Sequence, residues 1–350
     1  MLPESDEHDV MKLIFILAVV MVLAAGAGVA ANATFSKDKH HVYLIREKSP
    51  ILVDLDLEKN ACRKIDISQF ANEPIEGVTL SKTGLIICAT DDAVWSYNPS
   101  NEQCVKVCDG LKDEALKDVA YDPKSDGLVV IAYLNKNKDG YYQDSEMCYL
   151  PKGENKLQSV WNRYDNYAAW INYPVFGSNG NLYFISRGDL WEGSVEKDDK
   201  DMAQEGRYGS LMATRKVPLA QLITENTSPA STGLKAIAVS KEEIYGNDSR
   251  MGGSGWGSVI RFGNPSLIKG PDDWKKLGKV FISIETLRDD PCAFLCSSMD
   301  ETLVFFARPY FGTDKDKVFL VKENGKAAPV IFKGLADLLV GEPTRKARMP

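Results

Sequence analysis

The sequence predicts an all-β fold, a single β-propeller of four-stranded antiparallel blades, with six blades favoured and seven the alternative. Three observations predict it. An apolar run, a Ser/Asp/Gly turn and a second, strongly apolar run recur as GVTLSKTGLIICAT (77–90), DVAYDPKSDGLVVIAYL (118–134), YPVFGSNGNLYFISR (173–187), KAIAVSKEEIYGN (235–247) and CAFLCSSMDETLVFFAR (292–308). Each is followed by two further strand-like runs, giving four strands per unit at a period of roughly 40 to 60 residues. The register repeats as well: ILVDLDLEKNACRKI (51–65) and AVWSYNPSNEQCVKV (93–107) place Cys62 and Cys104 at matching positions. Such a unit buries its sheet faces only by stacking on neighbours, so the units must close into a ring.

Ahead of the repeats, MKLIFILAVVMVLAAGAGVAANA (11–33) has one basic residue, an apolar run from Leu13 to Ala25 and the small residues Ala31-Asn32-Ala33. That is the order of a secretory signal peptide cleaved after Ala33. The acidic MLPESDEHDV before it is wrong for the first region of a signal, which makes Met11 the expected true start. The expected division is a signal over 1–33 and one propeller domain over 34–350, secreted or periplasmic, with no membrane span after cleavage. The alternative is an uncleaved, extracytoplasmic anchor, since Leu13 to Ala33 is free of charge for about 20 residues and could span a bilayer.

Five complete units lie near 76–108, 117–160, 173–218, 234–283 and 292–333. A sixth, at 40–66, has no obvious first strand. A strand supplied from elsewhere would remove the open edge. The C-terminal ADLLVG (336–341) is the simplest donor, although it also reads as a short helix. The units resemble TolB-like propeller repeats, best in SSMDETLVFFARPYFGTDKDKVFLVKENGK (297–326) and next in FGSNGNLYFISRGDLWEGS (176–194). The resemblance covers the repeat and implies a fold; it implies no activity, because propellers host binding modules and enzymes alike.

Hydrophobic content of 44% and charged content of 26% fit a globular chain with a sizeable core. A net charge of −7, with TRKAR (344–348) as the one short basic block, argues against a nucleic-acid partner. The three histidines are His8, His40 and His41, so the chain has none from residue 42 onward. Histidine-activated nucleophiles and imidazole zinc sites would have to recruit the His40-His41 pair, which reads as an exposed entry to the first strand. Seven cysteines follow the signal, an odd number that leaves at least one thiol unpaired within the chain. Cys104/Cys108 and Cys292/Cys296 lie four apart in strand-like runs, about 13 Å at strand rise and too far for a disulfide. The cysteines read as core residues.

Alternating strand direction puts the second-to-third strand loops on one face with the linkers between blades. That face carries NKNKDGYYQDSE (135–146), NDSRMGGSGWGS (247–258), RPYFGTDKDK (308–317) and the linker WNRYDNYAAWINY (161–173). Long loops on a rigid scaffold carry function. The ligand-binding candidates there are Tyr141, Tyr142, Trp161, Tyr164, Trp170, Trp256, Tyr310 and Phe311. Their rings can stack on sugar rings while hydroxyls and indole nitrogens stay wet. The rival reading of the linker is a helical turn that packs its stripe of rings against the propeller. MGGSGWG lacks the spacing and following helix of a phosphate loop.

Within 135–146, Asn135, Asn137 and Asp139 fall at positions 1, 3 and 5, with Gly140 at 6 and Glu146 at 12. This approaches the calcium loop D-x-[DN]-x-[DN]-G-x5-E and looks like integrin-type calcium loops in propeller hairpins. Asn at position 1, Gln143 at position 9 and the flanking Lys136 and Lys138 depart from it. A weak, structural Ca2+ site is the metal reading; the other is a solvated hairpin turning at Asp139-Gly140. No cofactor is required. Three sequons, at Asn32, Asn226 and Asn247, matter only in a eukaryotic secretory route.

The leading functional reading is an exported, non-enzymatic propeller that binds a carbohydrate or a partner protein through its loop-rich face. The alternative is a carbohydrate-active lyase or hydrolase using acids on the same face, among them Asp144, Asp165, Asp189, Asp248, Asp314 and Asp316. Glycoside cleavage needs two carboxylates at a defined separation, and the sequence singles out no pair.

Overall fold

The structure, a computed structural model, describes residues 33–340 apart from 47, 139–143, 162–170, 178, 187–188, 196–210, 218–233, 241–242, 249–258, 265–266, 268–279, 283–293, 298–303, 308–315 and 322–326. In the first sheet β1 (Ala33–Phe35), β2 (His41–Ile45), β3 (Ile51–Asp56) and β4 (Ala61–Asp66) pair in chain order. The second holds β5 (Ile75–Leu80), β6 (Ile86–Thr90), β7 (Ala93–Asn98) and β8 (Gln103–Asp109). The third is β9 (Ala115–Tyr121), β10 (Leu128–Leu134), β11 (Asp144–Leu150) and β12 (Gln158–Trp161). Next come β13 (Ile171–Phe176), β14 (Leu182–Ser186), β15 (Asp189–Val195) and β16 (Leu211–Val217). After them lie β17 (Leu234–Ser240), β18 (Glu243–Asp248), β19 (Val259–Gly263) and β20 (Val280–Ile282). A further sheet, β21 (Phe294–Ser297), β22 (Val304–Ala307), β23 (Lys317–Val321) and β24 (Ala327–Ile331), precedes helix α1 (Leu335–Val340).

Every pairing is antiparallel and each sheet runs outward from its first strand, which is the blade of a propeller. The first strands contact one another from sheet to sheet, and β21 returns to β1. Burial follows position in the blade. All seven residues of β10 are buried, whereas the outer β4 and β8 are mostly exposed or half-buried. A strand packed on both faces needs a continuous apolar run and loses the in/out alternation. The core is accordingly a series of seams. Ile86, Trp95 and Tyr97 meet Tyr43, Leu52 and Ile65 between the first and second sheets. Leu116, Val130 and Leu150 meet Ile87 and Val94 in the next seam.

The innermost strands approach closely. A Cβ on Gly77 would lie 2.7 Å from Asp118 Cα and 2.9 Å from Val119 N, so β5 and β9 can touch only because residue 77 has no side chain. The six described cysteines are free thiols, and Cys88, Cys108, Cys148 and Cys296 are buried, as the reading of core cysteines requires. Burial pushes the thiols of Cys104 and Cys108 up to about 11, which keeps both protonated and inert at neutral pH.

One expectation is corrected. The first strand of the opening sheet comes from Ala33–Phe35, immediately before the unit it completes, and 335–340 forms α1 instead of a closing strand. Leu335, Ala336 and Leu339 are buried, an i, i+1, i+4 pattern that suits one face of a helix. With Phe332, Leu335 and Leu339 pack on Phe35, Leu44 and Leu55 of the first sheet and Val318 and Leu320 of the last, closing that seam with a helix. No helix among the described residues is long and apolar enough to cross a membrane.

Candidate functional site

The first strand of several sheets carries an extra residue near its start. Glu76 in β5 and Lys117 in β9 fall between paired residues, as does Lys235 in β17, and Tyr173-Pro174 oppose Phe184 alone. Bulges of this kind re-aim side chains. These lie at the end of the inner strands where the interblade linkers and second-to-third strand loops emerge. There the Lys117 ammonium sits 3.4 Å from Glu76 Oε1 and 2.5 Å from Asp91 Oδ1. Burial raises the Glu76 carboxyl above its ordinary value, and Lys117 opposes that shift. Asp118, 2% exposed, accepts the Val119 N–H at 2.8 Å. The Tyr133 hydroxyl donates to Asn172 Oδ1, and Ser145 Oγ accepts the Ile171 N–H at 2.8 Å. Tyr173 is buried with φ of 57°, a left-handed geometry held by its surroundings.

A second polar group lies where the second and third sheets meet. Glu114 Oε2 is buried without a hydrogen-bond partner. Burial, assisted by the neighbouring Glu146 carboxylate, pushes the Glu114 carboxyl up to about 7. Glu146 stands in β11, two residues past the start of the strand, where it pairs with Ala132. Its Oε1 accepts from the Cys148 thiol at 3.4 Å and its Oε2 from Ser159 at 3.0 Å. Asn135, with φ of 56°, donates to Asp144 Oδ2 at 2.8 Å. The first and last positions of the expected calcium loop therefore have protein partners. Among the described residues no group of three or more His, Cys, Asp or Glu could hold a metal ion. Asp139 lies outside the described residues.

Of the aromatic candidates, Tyr141, Tyr142, Tyr164, Trp170, Trp256, Tyr310 and Phe311 also lie outside them. Trp161 is described and is 6% exposed. Its ring meets Phe184 edge-on at 5.0 Å and Trp191 at 5.6 Å, in the seam between the third and fourth sheets. Packing holds that ring in the seam between the two sheets. His41, expected as an exposed entry residue, is half-buried, with Nδ1 2.7 Å from Asp54 Oδ1.

Sequence reasoning missed the opposite end of the channel. A cavity of about 390 Å³ opens there at the turns between first and second strands. Its wall includes Phe35, Leu80, Val175, Phe176 and Val239 from four different inner strands or the residues that end them. Lys37, Lys39 and Lys82 stand at its rim, and no Asp or Glu is among its described lining residues. A signal existed: Ser-Lys recurs at the first turn as 36–37, 81–82 and 240–241.

No protein-family model matches the chain. No curated protein matches it by sequence. Solved structures do match, and all those that follow are similar in fold alone. A streptogramin B lyase is 10% identical with a TM-score of 0.51, covering 87% of this chain and 84% of that one. A calcium-binding protein, regucalcin, from Agrobacterium tumefaciens is 13% identical with a TM-score of 0.50, covering 84% and 82%. A chain of a nidogen/laminin complex is 8% identical with a TM-score of 0.51, covering 83% and 93%. A lyase, a calcium-binding protein and a member of a protein complex share this architecture, so the fold is that of a β-propeller and does not select a function.

Proposed function

We propose that the chain is an exported, six-bladed propeller of TolB-like repeats that binds carbohydrate through its linker-and-loop end and performs no chemistry there. The observation that carries this reading is the Glu76–Lys117–Asp91 cluster. Glu76 and Asp91, described acids that face one another at that end, are both tied to one lysine, which opposes the rise of the Glu76 carboxyl, whereas glycoside cleavage needs one carboxyl free to give its proton and a second kept ionised at a set distance. Recognition then falls to Tyr141, Tyr142, Tyr164, Trp170, Trp256, Tyr310 and Phe311, whose rings would stack on sugars. Trp161 is left out, because its ring is engaged in the core. A partner protein would use the same surface.

The second reading, a carbohydrate-active enzyme, is favoured by one observation: Glu114 lies near Glu146 and is held at about 7, where a general acid works best. Incubation with soluble acidic and neutral polysaccharides separates the two. The binding reading predicts no new reducing or unsaturated chain ends. Release of such ends, lost in Glu114→Gln, would establish the enzyme.

A further inference from the structure

The cavity at the turn end of the channel has a chemistry of its own. The inner strands β5, β9 and β13 are six or seven residues long, which separates this mouth from the Glu76–Lys117–Asp91 cluster by about 20 Å. A volume of about 390 Å³ falls in the range of small-molecule pockets, at its lower end.

Most hydroxyls on the wall are already committed. Ser81 Oγ accepts the Leu85 N–H and meets Thr83 Oγ1, both at 3.0 Å. Ser36 Oγ accepts the His41 N–H at 2.9 Å and donates to Asp38. Thr79 Oγ1 faces the Tyr121 N–H at 3.4 Å, and the Tyr121 hydroxyl donates to Asp126. Ser36 and Ser81 each close their own turn, and Lys37 and Lys82 after them line the mouth. What the cavity offers a ligand is therefore apolar wall and ammonium.

Three carboxylates near the rim keep their charge and hydrogen-bond to other groups, and Lys152, helped by Lys82, holds the Asp126 carboxyl below its ordinary value. Asp38 accepts from Ser36 and the His40 N–H, Asp122 from the Lys124 N–H and Ser125, and Asp126 from Lys152. Among the described residues no ion pair ties Lys37 or Lys82. In a chain of net charge −7, a mouth with three lysines and no acid among its described lining residues stands out. Such a cluster draws anions.

We propose that this mouth is a second binding site, for an amphipathic anion: a medium-length apolar chain in the channel, with its carboxylate head on Lys37 and Lys82. The probes are decanoate, decanol and decyltrimethylammonium, titrated calorimetrically into the purified protein. Decanoate binds one saturable site, decanol binds it at least fivefold more weakly, and the cation does not bind. Replacing both Lys37 and Lys82 with Gln weakens decanoate about tenfold, roughly threefold for each exposed ion pair lost, and leaves decanol unchanged. Both lysines belong to turn rims, so that variant keeps its melting midpoint. Val175→Trp, which fills the channel, removes binding of acid and alcohol alike. Equal affinity for acid and alcohol, binding of the cation, or failure of decanoate to bind would overturn the assignment.

Discussion

At the scale of the residue, Asp54 carries the most. It is 1% exposed, and its two oxygens accept from His41 on one neighbouring strand, at 2.7 Å, and Arg63 on the other, at 2.9 Å. A carboxylate this deep is tolerated because both charge-assisted bonds are made. Removing it takes the shared acceptor from the His41 ring and the Arg63 guanidinium, so Asp54→Ala is expected to lower stability by about 2 kcal/mol in urea unfolding, the scale of a lost hydrogen bond to a charged group. A loss below a quarter of that would contradict the arrangement. Glu114 makes a prediction of opposite kind. Its carboxyl is raised from 4.5 to about 7, so the folded chain holds a proton that the unfolded chain releases. Stability from this group is therefore full below pH about 4.5 and declines as pH rises to about 7. Glu114→Gln keeps a neutral side chain throughout, so its melting midpoint should match the wild type at pH 4.5 and exceed it at pH 8. Neither residue was legible in the sequence. The partners of Asp54 lie on two other strands, and Glu114 is pushed by burial that only the stacked sheets create.

At the scale of the element, α1 holds the seam between the first and last sheets. Asp316, immediately before β23, accepts the Gly334 N–H at 3.2 Å and the Ala336 N–H at 3.0 Å, which satisfies donors a helix start leaves open. Leu339→Ala is expected to cost about 3 kcal/mol as a core truncation, and Asp316→Ala about 1 kcal/mol as a lost cap, both read from denaturant midpoints. The sequence held ADLLVG as either strand or helix, and a six-residue apolar stretch does not distinguish them by itself. The opening strand was harder to see. Ala33-Thr34-Phe35 is three residues long and overlaps the A-x-A that the signal reading uses. The loop at 135–146 is a different case, a motif plain in the sequence of which the structure describes 135–138 and 144–146. With Asn135 and Glu146 bonded to Asp144, Ser159 and Cys148, the melting midpoint should be the same in millimolar calcium and in chelator. A rise that Asp139→Ala and Glu146→Ala abolish would make the loop a calcium site.

At the scale of the molecule, the period of four strands was legible because every blade solves the same burial problem with the same pattern of apolar runs and turns. The two mouths of the channel were not equally legible. The loop-rich end drew attention by its aromatics and insertions, whereas the turn end is marked by lysines whose convergence needs the ring. The central claim is recognition of carbohydrate at the loop end, and affinity electrophoresis in gels cast with acidic and neutral polysaccharides tests it most directly. At least one polysaccharide should retard the wild-type protein. Trp170→Ala combined with Trp256→Ala should migrate freely in that gel, while the Lys37/Lys82 double glutamine variant is retarded as the wild type is. Retardation that survives loss of the two rings, or no retardation in any gel, would contradict the account.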